Sequence, residues 1–261
     1  MTQRMRARDV ASAVWPGLIL VVLGVAGFAA LLDWVVEQED LFLVDQPLLE
    51  WLAANRTDAL TTFFTVVTNL FGPFLLPLVV AVIALLWWRI SGRWWEPAVL
   101  VGAMVLSTGL SVVLKATVGR TRPGQEFMSI PGGETSGSFP SGHTIGAATL
   151  VLVVGYLLWH EDAEASWALA GWTVLSIGVI GLVGASRMYL GYHFLTDVLA
   201  GVCVAVVVLG LVVAVERWHD LWIERRDPPE RPRPLSEEDD AAVGWGEGLT
   251  GLDGADGEER A

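Results

Sequence analysis

Six apolar stretches, each near the ~20 residues a helix needs to cross a bilayer, leave this chain few folds to choose from. They run from Pro16 to Val36, Phe63 to Trp88, Trp95 to Val118, Thr144 to Trp159, Trp167 to Ala185 and Phe194 to Val215. A chain of 261 residues that is 53% hydrophobic and 17% charged is too apolar for an ordinary soluble domain. A backbone in hydrocarbon must also satisfy its own polar groups, so the stretches read as transmembrane helices and the fold class as all-α. Tryptophans 15, 34, 87, 88, 94, 95, 159, 167 and 218 fall near the ends of the stretches, where indole rings favour the headgroup layer. The first stretch is long, lacks a clear small-residue cleavage site and is flanked by Trp, so it reads as a helix rather than a signal peptide. Gly72-Pro73 leaves room for an interfacial turn inside the second.

Arginine placement orients the bundle. Arg4, Arg6 and Arg8 precede the first span, Arg89 and Arg93 lie between the second and third, and Arg217, Arg225 and Arg226 follow the sixth. With six spans these groups share one side, which the positive-inside rule makes cytoplasmic, so both termini are expected inside. Lys115, Arg120, Arg122 and Arg187 then fall on the outer side against the trend. A function that needs cations explains that violation better than topology does. Outside the spans, Val44 to Asn55 reads as a short amphipathic surface helix or a connecting loop. Gly178, Gly181 and Gly184 read as a close-packing face of the fifth span.

Much of the negative charge is a tail property. From Asp227 to the C-terminus there are 11 acids and 3 arginines, so −8 of the formal −13 sits there. Rich in Pro, Glu and Asp, this segment cannot bury a core and reads as disordered. The expected organisation is a basic cytoplasmic N-terminus over 1–14, a six-span membrane domain over 15–223 and an acidic cytoplasmic tail over 224–261. No nucleic-acid partner is expected. The single cysteine, Cys203, lies in an apolar stretch and reads as a small packing residue.

Three polar clusters interrupt the apolar pattern. Lys115, the only lysine, precedes Arg122-Pro123; Pro140-Ser141-Gly142-His143 opens the fourth span; and Ser186-Arg187 is followed by His193 and Asp197. The predicted topology brings all three to one membrane face. Pro, Ser and Gly suit a helix N-terminus, whose free amides attract anions, although Ser141 can equally be a simple cap. His193 and Asp197 are four residues apart, within reach of one another on a helix. A carboxylate holding one imidazole nitrogen leaves the other free to attack phosphorus. His160 and His219 lack such neighbours and read as structural.

Lys115-x6-Arg122-Pro123, Pro140-Ser141-Gly142-His143 and Ser186-Arg187-x5-His193-x3-Asp197 together resemble the three-part signature of the type 2 phosphatidic acid phosphatase superfamily. The resemblance covers Lys115 to Asp197 with no motif position missing. It implies a phosphatase core in which His193 is the nucleophile, Asp197 orients it, and His143 protonates the leaving group and then activates water. It further implies that Lys115, Arg122, Arg187, Ser141 and Gly142 hold the phosphoryl group, with no metal and no other cofactor. A site at the outer end of membrane helices suits a lipid phosphate or diphosphate: a polyprenyl diphosphate, phosphatidylglycerophosphate or phosphatidic acid. Transfer to an acceptor alcohol on the same site is the alternative chemistry, and a non-catalytic lipid-binding or transport role the alternative class. The Gly- and Ser-rich segment from Gly124 to Phe139 is either a flap over the site or an ordinary surface loop.

Overall fold

In the structure, a computed structural model, residues 7–130, 134, 136–161 and 166–226 are described. Among them the regular elements are all helical. They are α1 (Ala7–Glu37), α2 (Phe42–Ala54), α3 (Asp58–Leu70), α4 (Leu75–Ser91), α5 (Trp95–Val118), α6 (Gly142–Glu161), α7 (Ser166–Tyr189) and α8 (Leu195–Arg226), with one 3-10 turn at Gln125–Phe127.

Five of these helices, α1, α5, α6, α7 and α8, are long and apolar enough to cross a bilayer alone. Helices α3 and α4 are long and apolar enough only when taken together, and they are bent by 54° at a short break, the form of a broken span or of a re-entrant pair. Within the stretch expected as a span from Phe63 to Trp88, the helix is interrupted at Gly72-Pro73. Proline cannot donate the next helical hydrogen bond, and a substituent on Gly72 would come within 3.1 Å of the Asn69 carbonyl, so the backbone closes up there and restarts at Leu75. The amphipathic segment after the first span is helix α2, and α8 runs beyond the expected end of the sixth span. Of the expected acidic tail, 227–261 lies outside the described residues, as does 1–6 of the N-terminus.

Helix α6 is the hub. Leu150, Val153, Val154 and Leu157 pack with Leu76 and Val80 of α4, Leu100, Ala103 and Met104 of α5, and Val208 and Val212 of α8. Helices α1 and α7 instead expose Leu18, Val22, Leu23, Val174 and Ile177, which is the expected result where lipid replaces a protein neighbour. Helix α1 approaches α8 closely because Gly17 faces Gly210: a Cβ on Gly17 would come within 2.7 Å of the Ala214 nitrogen. The expected packing face of α7 is narrower than its sequence spacing suggests. Gly184 meets Val198, whereas Gly178 and Gly181 face open space, because α7 turns only its last turns towards α8.

Two local devices aim the chain at one end of the bundle. Gly119, with φ 63°, caps α5 as its N–H bonds the Lys115 carbonyl at 3.1 Å, which reverses the chain and returns Arg120 and Arg122 over the helix end. The Ser141 amide donates to the Asp197 carbonyl at 2.9 Å, so the start of α6 is tied to the start of α8.

Candidate active site

All three polar clusters meet at that end. Asp197, fully buried in the first turn of α8, accepts the Phe194 amide at 2.9 Å through Oδ2, and the same oxygen lies 3.3 Å from His193 Nδ1. A neutral His193 donating from Nδ1 leaves a lone pair on Nε2, which faces Arg122 Nη1 at 3.3 Å. His193 is held well below the ordinary imidazole range, first by burial and then by Arg187, Arg122 and Lys115, which oppose a further positive charge.

A pH consequence follows for stability. The native imidazole stays neutral while the unfolded one protonates as pH falls below 6.5, so acid draws the equilibrium towards the unfolded chain. Detergent-solubilised protein should lose thermal stability from about pH 6.5 downwards, and His193→Asn should flatten that fall. Parallel pH profiles for the two proteins would remove His193 from the account.

The cations are arranged around a shared space. Lys115 Nζ donates to the Gly137 carbonyl at 2.6 Å, and Gly142 packs close beside it, where a Cβ would come within 3.2 Å of the Ser111 hydroxyl. Arg122 donates to the Ser136 carbonyl at 2.8 Å and the Tyr192 carbonyl at 2.9 Å. Arg187 is 2% exposed; its Nη1 donates to the Thr68 hydroxyl at 2.7 Å and its guanidinium lies 4.5 Å over the Tyr192 ring. Ser141 is fully buried and its hydroxyl accepts that of Thr144 at 3.1 Å. His143 stands beside the α3–α4 break, where a Cβ on Gly72 would be 3.6 Å from its Nε2.

Three further residues complete the site; sequence reasoning passed over Thr68 and Glu134 and counted Arg120 only among the outer cations. Thr68, on α3, steers Arg187, and nothing in its local sequence marks it. Arg120 bridges Asp197 and the buried Asp45 of α2, although it belongs to no motif position. Glu134 spans Arg122, at 2.6 Å, and Arg187, so its carboxylate sits where two guanidinium groups converge. Burial alone would raise the Glu134 pKa, but Arg187, then His193 and Arg122, outweigh it and hold the carboxyl below its usual range. An acid between motif cations was the available signal. Of the segment expected as a flap or loop, 131–133 and 135 lie outside the described residues.

The shared space opens into a cavity of about 1220 Å³. Its polar end carries Lys115, His143, Arg187 and His193; its length is lined by Leu76, Val80, Val101, Met104 and Val105 of α4 and α5. A headgroup fits the first part and a hydrocarbon chain the second. Among the described residues, the group that could gather a metal ion is His160, Glu216 and Asp220, with ligand atoms within 4.8 Å of one another. It lies about 30 Å away along α6 and α8, at their opposite end.

The family model described as the PAP2 superfamily matches residues 96–220. Phosphatidylglycerophosphatase B of Bacillus subtilis is 34% identical over 146 residues, which are 53% of this chain and 66% of that protein's length. The crystal structure described as the first transmembrane PAP2 type phosphatidylglycerolphosphate phosphatase, also from Bacillus subtilis, superposes with a TM-score of 0.63 at 25% identity, covering 82% of this chain and 98% of that one.

Proposed function

Because the chain belongs to the PAP2 superfamily and is a multi-pass membrane protein, we propose that it is a metal-independent lipid phosphatase working through a phosphohistidine. The observation that carries this reading is the polarity of His193: Nδ1 faces Asp197 and Nε2 faces the guanidinium cluster. Phosphate oxygens replace the Glu134 carboxylate between Arg122 and Arg187. His193 Nε2 then forms a bond to phosphorus as the bond to the leaving oxygen breaks, and His143 delivers the proton that oxygen needs. In the second half His143 takes a proton from water, the water oxygen bonds phosphorus, the P–N bond breaks and inorganic phosphate leaves. Lys115, Arg122 and Arg187, with the Gly142 amide, stabilise the charge that builds on the phosphoryl oxygens.

The apolar length of the cavity favours a substrate whose tail remains in hydrocarbon. Among phosphatidylglycerophosphate, phosphatidic acid and polyprenyl diphosphates, likeness in sequence and in structure to phosphatidylglycerophosphate phosphatase of Bacillus subtilis ranks the first highest. The active site faces the outside and both termini the cytoplasm, as arginine placement argues.

Purified protein in detergent should release phosphate from at least one of these lipids, with excess chelator present, and vanadate should block it. Absence of release from the whole panel would leave the lipid-binding reading in its place. An Ile130→Cys variant in a Cys203→Ser background tests the orientation, since Ile130 is 60% exposed on the site's end. Labelling only after cells are permeabilised would invert it.

Glu134 makes a further prediction. If substrate must displace this carboxylate, Glu134→Gln should lower KM by about 3–10-fold while kcat changes less than about twofold, because the binding-competent fraction rises. An unchanged or higher KM would mean the carboxylate does not compete.

A further inference from the structure

Asp197 has two oxygens, and the structure gives each a separate task. Oδ2 serves His193 and the Phe194 amide, while Oδ1 accepts Arg120 Nη1 at 2.6 Å. Two contacts on opposite oxygens set the plane of the carboxylate, and that plane decides where the imidazole points. Arg120 is itself held: Nη2 donates to Asp45 Oδ2 at 2.7 Å, Nη1 also donates to the Thr196 hydroxyl at 2.7 Å, and its guanidinium lies 4.4 Å over Phe194 and 5.5 Å over Phe42. Asp45, 2% exposed, further accepts the Thr196 amide at 3.0 Å and the Thr196 hydroxyl at 2.5 Å. The surface helix α2 thereby reaches the first turn of α8 and, through one arginine, the back of the nucleophile.

We infer that Arg120 and Asp45 are positioning residues for catalysis, forming a relay Asp45–Arg120–Asp197 that fixes the orientation of His193. The inference rests on the phosphohistidine reading of the same site. Arg120 does not line the substrate cavity, which separates its role from that of Arg122 and Arg187. Removing its guanidinium leaves Asp45 and Asp197 facing each other in a buried space without the cation between them. On Oδ1 the carboxylate then keeps only the Ser138 hydroxyl at 3.5 Å, so it is held less firmly and takes up a proton more readily, which ends its acceptance from His193 Nδ1. Asp45→Asn leaves Arg120 in place but replaces the ionic acceptor by a weaker neutral one.

The test compares wild type, Arg120→Lys, Arg120→Ala, Asp45→Asn and His193→Ala in detergent, measuring kcat and KM for phosphate release from phosphatidylglycerophosphate and thermal stability alongside. Positioning predicts that Arg120→Ala and Asp45→Asn lower kcat by about 10–100-fold, with KM within about twofold, since the phosphate grip is untouched. A second readout uses the separate cavity of about 370 Å³ lined by Asp45, Arg120, Phe42 and Phe194, which gives a small cation access to the vacated place. Added guanidinium should raise kcat of Arg120→Ala and leave His193→Ala inactive. Arg120→Lys, which keeps the charge, should lie between wild type and Arg120→Ala in kcat. Full kcat in folded Asp45→Asn and Arg120→Lys, with His193→Ala inactive, overturns the inference while the phosphatase reading stands. No release by wild type from phosphatidylglycerophosphate, phosphatidic acid or a polyprenyl diphosphate overturns both. A fall in KM-based affinity without loss of kcat also overturns it, because that would place Arg120 in substrate binding.

Discussion

His193→Ala should abolish phosphate release, with a loss of at least about 10⁴-fold in kcat. Alanine offers no atom that can bond phosphorus, and the fully buried Asp197 then orients nothing. The fold should survive, because the imidazole is neutral in the native protein and its loss removes no charge from the buried network. Binding should also survive, since Lys115, Arg122 and Arg187 remain. Phosphate is therefore expected to protect the variant against heat as it does wild type, while the variant turns nothing over. Asp197→Asn is the companion: it keeps volume and one acceptor oxygen but can present an amide to Nδ1, which favours the wrong tautomer, and about 10²–10⁴-fold of kcat should go with it. If folded His193→Ala keeps full activity, the nucleophile lies elsewhere and the pairing with Asp197 is structural.

The second large effect should come from Arg187→Lys, a change that preserves charge and removes geometry. Arg187 has 2% of its surface exposed and uses one terminal nitrogen for Thr68 while the other reaches Glu134, the place assigned to a phosphate oxygen. Its planar face is also stacked on Tyr192. An ammonium cannot hold Thr68 and a phosphoryl oxygen in that fixed fork, nor stack. A loss of about 100-fold in kcat/KM is expected, about 3 kcal/mol of transition-state stabilisation. Thr68→Val tests the same geometry from the other side and should cost less, since the cation remains. Wild-type kcat/KM in Arg187→Lys would mean that a point charge suffices and that the fork has no catalytic role.

How legible the protein was can be judged from particular residues. His193 and Asp197 were readable because their four-residue spacing is local: whether the stretch begins a helix or merely approaches one, the two side chains fall within reach. Trp95 to Val118 was readable to the residue, since Trp at one end and Gly119 at the other mark where the apolar pattern stops. The stretch from Phe63 to Trp88 was legible as apolar but not in form, because a Gly-Pro pair announces a break without announcing its 54° angle. Gly178 and Gly181 misled, as small residues permit close packing but do not supply a neighbour. Thr68 and Asp45 carried no local pattern that tied them to the motif residues; their partners are 119 and 75 positions away in sequence.

Local chemistry and solvent preference are properties that a sequence carries by itself, because they depend on neighbours within a turn or two and on how a segment partitions between water and lipid. On those grounds it determined the all-helical membrane class and the three clusters with their chemical types. Tertiary structure alone decided which oxygen of Asp197 faces His193, which carboxylate stands between the guanidinium groups, and how α2 is joined to the polar end. Those depend on angles between helices packed from distant parts of the chain, and a displacement of one side chain's length there makes or breaks a hydrogen bond. The apolar stretches therefore set where this protein resides, and the few buried polar contacts between them set what its polar end can do.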